Sequence, residues 1–284
     1  MQACFHETND RGDRGYMKDR SAGSVILAAG RGSRMRGFPG NKTLLPLVPA
    51  ESPFIGSEPF LLHILRTLPP GPRAIVVHHE EEAVIKATAE WDITYCHQPE
   101  LNGTGGALIA AQDFLREITS ENIVLTMGDI PLVHPETYLR MITQLKKDDL
   151  VVLGFEPLDR RQYGMLETDG DHVSRIIEWQ YWKDFSKEAQ QSLRLCNSGI
   201  YAAKRKTLLP YLDRLASHPH VVEKERDGNL QQVKEFFITD VVASMHEDAV
   251  PVGYITAEDE HEVMGVDTVS TLKTAQRIYA ERFL

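Results

Sequence analysis

Ser24-Val25-Ile26-Leu27-Ala28-Ala29-Gly30-Arg31-Gly32-Ser33-Arg34-Met35 begins as a short apolar run and ends as a small-residue, basic loop. An apolar run bounded by glycine predicts a buried strand. Ala28, Ala29, Gly30 and Gly32 leave room for a ligand to approach the main chain closely. Successive N–H groups in such a loop can converge on phosphate oxygens. Arg31, Arg34, Arg36 and, further on, Lys42 in Asn41-Lys42-Thr43-Leu44-Leu45-Pro46 add positive charge. No Asp or Glu occurs from Ser21 to Ala50. The loop is neither the GxGxxG dinucleotide fingerprint nor a P-loop, since both patterns are absent.

Outward from this run, apolar strand-like segments recur at 74–77, 93–96, 123–127 and 150–153. Helical patterns lie between them at 60–68, 81–89, 107–118 and 138–145. Strands alternating with helices imply crossover connections and a mainly parallel sheet. The expectation is a doubly wound, Rossmann-like α/β domain with helices on both faces and its ligands at the carboxyl ends of the strands. From about residue 156 the pattern turns β-rich. Tyr163–Glu167 and Val173–Glu178, around Asp169-Gly170-Asp171, read as a hairpin. Strands are also expected at 194–202 and 250–256, and an amphipathic helix at 268–284. The polar segment 217–232 reads as a loop. Residues 1–22 read as a flexible extension and 23–284 as a single domain.

The chain has 284 residues and a formal charge of -10. Such acidity argues against a general nucleic-acid binder, which needs a broad basic surface. No apolar run approaches the roughly 20 residues of a bilayer-spanning helix, so no membrane partner is expected. The amino terminus lacks the apolar core of a signal peptide. Cys4, Cys96 and Cys196 form no paired motif, so neither a zinc site nor a disulfide framework is expected. A reducing cytoplasm fits.

Several residues could carry chemistry. Asp129, in Gly128-Asp129-Ile130-Pro131-Leu132, follows a strand and would face the ligand crevice; it could equally cap a turn. Asp267, in Gly265-Val266-Asp267, precedes a helix and could cap it. Carboxylates together with substrate phosphates are the usual Mg²⁺ ligands. Gln98 stands before Pro99 and offers an amide donor and acceptor suited to a base edge. Gly103-Thr104-Gly105-Gly106 opens a helix, where Thr104 could be a cap. Tyr163-Gly164, Glu178, Asn197-Ser198-Gly199-Ile200 and Phe237-Ile238-Thr239-Asp240 follow in order. His78-His79 reads as a solvated helix start. Trp179, Tyr181 and Trp182 could wall a pocket or pack on the surface.

The LAAGRGSRM loop, Lys42, the Q…GTG segment and the GDIPL motif, in this order, resemble the sugar-phosphate nucleotidyltransferases. The pattern is similar to the uridylyltransferase domain of bifunctional N-acetylglucosamine-1-phosphate uridylyltransferases, without their acetyltransferase domain, over residues 24–284. That resemblance implies condensation of a nucleoside triphosphate, UTP, with a sugar 1-phosphate, N-acetylglucosamine 1-phosphate, and release of pyrophosphate. It implies Arg34 and Lys42 as catalytic groups and Mg²⁺ on Asp129 and Asp267. Leu27, Ala28, Ala29, Gly30, Gln98, Gly103, Thr104 and Gly128 would hold the nucleotide. Gly164, Glu178, Asn197 and Thr239 would hold the sugar. Asp267 stands where the bifunctional enzymes carry Asn and other sugar nucleotidyltransferases carry Asp. Cytidylyl or guanylyl transfer, as in molybdopterin-modifying enzymes, is an alternative within the same chemistry. A choline-phosphate-type transferase and a catalytically idle nucleotide sensor are others.

Overall fold

In the computed structural model, which describes residues 21–226 and 229–284, nine strands form one mixed sheet and four more form two ribbons. In chain order the strands are β1 (Gly23–Leu27), β2 (Pro46–Ser52), β3 (Ile55–Pro59), β4 (Arg73–Val77), β5 (Thr94–His97), β6 (Asn122–Met127) and β7 (Leu150–Phe155). They continue with β8 (Met165–Asp169), β9 (His172–Ile177), β10 (Cys196–Lys204), β11 (His220–Arg226), β12 (Asn229–Glu235) and β13 (Val252–Thr256). The large sheet runs β5-β4-β1-β6-β10-β7-β13-β9-β8. Its first four strands are mutually parallel. The chain leaves β1 toward β4 and β5 on one side, then returns to β6 on the other. The carboxyl ends of β1 and β6 therefore flank a topological switch point, where an open α/β sheet leaves a crevice. Past β6 the order changes character: β10 runs antiparallel to both β6 and β7, and it is reached from the β8–β9 hairpin through two short helices, Trp179–Trp182 and Lys187–Ser192.

Period-2 alternation sorts the core onto two faces. On β1, Ile26 packs with Leu61, Ile64, Leu65, Tyr138, Met141 and Ile142 of the helices Phe60–Thr67 and Pro135–Gln144. Val25 points the other way, to Leu108, Leu115, Leu212 and Val242 of the opposite helical layer. A third cluster joins Met35, Leu45 and Leu47 of the basic loop region to Leu272, Ala275 and Ile278 of the helix Val269–Phe283. Among the described residues no helix is long and apolar enough to cross a membrane. Cys96 and Cys196 are buried and unpaired. Burial pushes their thiols up to about 11 and about 12, which keeps them protonated.

Three expectations need correction. The polar segment 217–232 is not a loop. The helix Arg205–Ser217 ends in it and β11–β12 form an antiparallel ribbon, in register from His220↔Glu235 to Arg226↔Asn229. Its charge density disguised β-branched Val221 and Val222. The expected helix 107–118 starts earlier, at Thr104, and breaks at Ala111 into Thr104–Ala110 and Gln112–Glu117. Of the expected extension, residues 1–20, with Cys4, lie outside the described residues. Ala22 is fully buried and its N–H donates to Pro70 O at 3.0 Å, so the packed chain includes it.

One glycine fixes where the helix Thr104–Ala110 begins. Gly103 has φ +97, and a Cβ there would sit 2.3 Å from Phe236 O. Gly103→Ala is expected to lower the unfolding free energy by about 1–3 kcal/mol from backbone strain, and by more if the 236 segment cannot retreat. Urea unfolding of the two proteins measures the difference; equal midpoints and slopes would show that the contact yields freely.

Candidate active site

The loops after β1 and β6 lie side by side. Ala28 N–H donates to Val76 O at 3.0 Å and Gly128 N–H to Leu27 O at 3.0 Å. A Cβ on Gly128 would meet Thr43 Cγ2 at 2.7 Å. This glycine thus lets the Asn41–Thr43 turn approach β1 closely. It packs behind the cleft and does not line it.

Asn41 is the local staple. It is 1% exposed. Its Oδ1 accepts from Thr43 N–H and the Thr43 hydroxyl at 3.0 and 2.8 Å. Its Nδ2 donates to Ala28 O and His79 O at 2.9 and 2.8 Å. The turn Lys42–Leu44 that follows is held against the β1 loop, so Lys42 projects along the cleft. There its Nζ is ion-paired with Asp129 Oδ2. The two side chains retain only 16% and 19% of their exposure. Opposite, Arg34 Nη1 pairs with Asp267 Oδ2 at 2.6 Å. Val266 N–H donates to Asp129 O at 2.8 Å, which ties the two carboxylate-bearing segments together.

Two readings left open by the sequence close here. The cap of the helix Val269–Phe283 is Thr268, in a reciprocal capping box with Thr271, so the Asp267 carboxylate is not used as a cap. Thr104 is likewise no cap. Gly103 occupies that position without a side-chain bond, and the Thr104 hydroxyl accepts from Ile238 N–H at 3.5 Å.

Two cavities open at the switch point. The first, of about 510 Å³, is lined by Leu27, Ala28, Ala29, Gly30, Lys42, Gln98, Gly103 and Thr104, with Leu101, Ala107 and Glu235. It thus gathers every residue expected to hold the nucleotide except Gly128. The second, of about 450 Å³, is lined by Asp267, Tyr163, Arg161, Gln162, Ser198 and Gly199. Arg34, Met127 and Asp129 belong to both. A smaller cavity of about 360 Å³ between the helices Arg205–Ser217 and Thr239–Glu247 contains none of the expected residues.

Gln98 is 3% exposed, not solvated. Its Nε2 donates to Asn102 Oδ1 at 2.9 Å and Gly103 O at 3.3 Å. Both amide hydrogens are engaged, so Oε1 is what it offers a base. His78 is half-buried and bonds Gln98 O through Nδ1 at 2.7 Å. It braces this segment, contrary to its reading as a solvated helix start.

Gly164, Glu178, Asn197 and Thr239 come together, though none lines either cavity. Asn197 N–H donates to Gly164 O at 2.8 Å. The Thr239 hydroxyl donates to Glu178 Oε1 at 3.2 Å. Asn197 Nδ2 donates to the Tyr201 hydroxyl at 2.9 Å. Burial pushes the Glu178 carboxyl up, the Thr239 bond opposes the rise and Asp240 adds to it. The aromatic trio forms no cage: Trp182 is buried and donates to Tyr163 O at 2.8 Å, whereas Tyr181 is 58% exposed. Sequence reasoning passed over Asn41, Tyr163 and Arg161 as site residues. Asn41 and Tyr163 stood inside quoted motifs beside Lys42 and Gly164, and that adjacency was the available signal.

Among the described residues no cluster of three or more His, Cys, Asp or Glu could hold a metal ion unaided. Asp129 and Asp267 are a hard oxygen pair on one cleft. Such a pair suits a divalent cation whose remaining ligands are substrate phosphates and water.

Residues 24–226 match the family described as MobA-like NTP transferase domain. The chain is 35% identical to the bifunctional protein GlmU of Cereibacter sphaeroides over 264 residues, 91% of this chain and 52% of that protein. It is 33% identical to GlmU of Ruegeria pomeroyi, over 92% and 53% respectively. The chain spans about half the length of the curated relatives it matches. Among solved structures, the uridine diphosphate N-acetylglucosamine pyrophosphorylase of Trypanosoma brucei superposes with a TM-score of 0.73 at 12% identity, covering 94% of this chain and 66% of that one. A nucleotidyl transferase from Methanothermobacter thermautotroptrophicus gives 0.57 at 18% identity, covering 92% of this chain and 98% of that one. Both share the α/β fold described above.

The Glu178 environment has a pH consequence. The folded state holds this proton more tightly than the unfolded chain does, so its stability falls as pH rises from the ordinary carboxylate range through the raised value. Glu178→Gln removes that loss and can still accept from Thr239. The variant is expected to be more stable than the parent at about pH 8, with the advantage vanishing at about pH 4. Urea midpoints at the two pH values test this; a difference that does not vary with pH would refute it.

Proposed function

This chain belongs to the family of MobA-like NTP transferase domains, and on that premise we propose that it transfers a uridylyl group from UTP to N-acetylglucosamine 1-phosphate, releasing pyrophosphate. The observation that carries this reading is the shared wall of the two cavities. Arg34 and Asp129 face both, with Lys42 on the first side and Asp267 on the second. A triphosphate in the first cavity and a phosphomonoester in the second would meet at this wall. The sugar-phosphate motifs, the GlmU relatives and the pyrophosphorylase neighbour support the choice of acceptor. Residues 23–284 act, in this reading, as one transferase domain.

The attacking oxygen of a sugar 1-phosphate is already anionic, so the reaction needs no general base. Alignment and charge neutralisation remain. Mg²⁺ held by Asp129 and Asp267 would supply neutralisation of the reacting phosphates. Lys42 and Arg34, released from their carboxylates as substrates arrive, turn to the α-phosphate and the departing pyrophosphate. The small residues 27–30 let main-chain N–H groups reach phosphate oxygens. Gln98, with both hydrogens committed inward, presents an acceptor, which suits the N3–H of uracil and opposes the bare N3 of cytosine. The half-buried Glu178 and Asn197 and the buried Thr239, around Gly164, shape the acceptor end. Guanylyl transfer to a pterin phosphate is a second reading, favoured by the family description; guanine also carries a ring N–H.

Asp129→Ala is expected to abolish pyrophosphate release and to lower the unfolding midpoint, because it leaves the mostly buried Lys42 without its partner; wild-type-like turnover would remove Asp129 from the metal site. Lys42→Ala should lose about 3–4 kcal/mol of transition-state stabilisation, seen as a ~10²–10³-fold drop in kcat/KM. A pyrophosphate-release screen of all nucleoside triphosphates against sugar 1-phosphates and a pterin phosphate decides the substrate pair. Release with no pair, with and without Mg²⁺, would replace the enzyme by a nucleotide-sensing domain.

A further inference from the structure

The charges in the second cavity cancel in pairs, with one exception. Asp267 is matched by Arg34 and Asp129 by Lys42. Arg161 also lines this cavity, and among the described residues its guanidinium has no ion-pair partner. Arg161 has a backbone φ of +44, a left-handed conformation that non-glycine residues rarely adopt and that recurs at ligand sites. Two hydrogen bonds close the turn. Arg161 N–H donates to Asp159 Oδ1 at 3.0 Å and Tyr163 N–H to Arg160 O at 3.1 Å. The neighbouring Arg160 is tied down through Gln190 O. Of the two adjacent arginines, one is therefore an anchor, and the other is exposed at the rim that the second cavity shares with a neighbouring one of about 280 Å³. The Tyr163 phenol feels Arg161 and Asp267 with opposite sign, which sets the free cation and the carboxylate around the same ring.

We propose that Arg161 is a specificity-determining residue that binds the phosphate of the acceptor, selecting a phosphomonoester over the neutral sugar. The inference rests on the nucleotidyl-transfer reading. It assigns to Arg161 a role left over by the other cations of the cleft, since Lys42 and Arg34 are taken up by the α-phosphate and the departing pyrophosphate in that reading. A guanidinium is suited to the task, since its fork donates to two phosphate oxygens at once.

The test compares the parent with Arg161→Ala, Arg161→Lys and Arg161→Gly. Alanine keeps the backbone constraint and removes the guanidinium, whereas glycine relieves the constraint as well. Arg161→Ala and Arg161→Gly should both raise KM for N-acetylglucosamine 1-phosphate about 10- to 100-fold, with KM for UTP unchanged, and lysine should restore part of the loss. An unchanged KM for the sugar phosphate, or an equal rise in both KM values, overturns the proposal. If the parent releases no pyrophosphate from any pair, the transfer reading itself has failed, and binding becomes the readout. Thermal shifts with N-acetylglucosamine 1-phosphate and with neutral N-acetylglucosamine are then compared. A phosphate-dependent shift in the parent that is lost in Arg161→Ala upholds the anion site. No shift in the parent, or an equal shift in both proteins, refutes it.

Discussion

The Lys42–Asp129 ion pair is the interaction on which the cleft depends. Both groups are mostly withdrawn from water. A charge in that position is costly unless a partner meets it. The chain as a whole carries a formal charge of -10, so its field repels the polyanionic substrates of the proposed reaction. Local cations must reverse the sign, yet free cations at a partly buried wall would themselves be costly without ligands. The cleft meets both demands by pairing Lys42 and Arg34 with carboxylates across it and leaving Arg161, which is exposed to solvent, unpaired at the rim among the described residues. Lys42 and Arg34 wait on Asp129 and Asp267. A metal ion taking the carboxylates and phosphates taking the cations would exchange partners without leaving any charge bare.

The scaffold exists to hold those four groups in register. Asn41 fastens the Lys42 turn to the β1 loop through backbone oxygens on two strands' ends. Met35 anchors the arginine-bearing loop into the cluster built on the helix Val269–Phe283. The same helix begins directly after Asp267, and Thr268 takes the capping duty, which leaves that carboxylate for the cleft. Val266 N–H on Asp129 O then closes the ring of contacts. Each cation is thus tethered to a segment that also fixes the position of a carboxylate, although the residues lie far apart along the chain.

Much of this was legible in the sequence because it is local. The apolar run into a small-residue loop identified β1 and its ligand-facing end, and alternating strands and helices gave the doubly wound half of the sheet. The β11–β12 ribbon was not legible, because a two-stranded ribbon outside the core needs no apolar face to mark its period. Whether Asp267 or Thr268 caps the final helix depended on which side chain the fold turns inward, and composition alone cannot decide between neighbours. Gln98 looked like any loop glutamine until burial committed both its hydrogens to Asn102 and Gly103. The isolation of Arg161 is a property of the ion pairs around it, and its left-handed backbone is a property of the turn; neither has a sequence signature.

A backbone strap ties the wall of the first cavity to the Glu178 cluster. Phe236 N–H donates to Asn102 O, and Gly105 N–H donates back to Phe236 O, at 2.9 Å each. The next residues carry the connection onward: Ile238 N–H reaches Thr104, and Thr239 reaches Glu178. The segment 236–239 therefore touches the start of the helix Thr104–Ala110 at one end and the Glu178 carboxylate at the other. Ordering of the GTG turn by a nucleotide would constrain this strap, and through Thr239 the position of Glu178. Gly103 and Gly105 are bare of side chains because the strap lies against them. The two substrates would then meet at Asp129 by direct contact and be registered against each other through the backbone behind it.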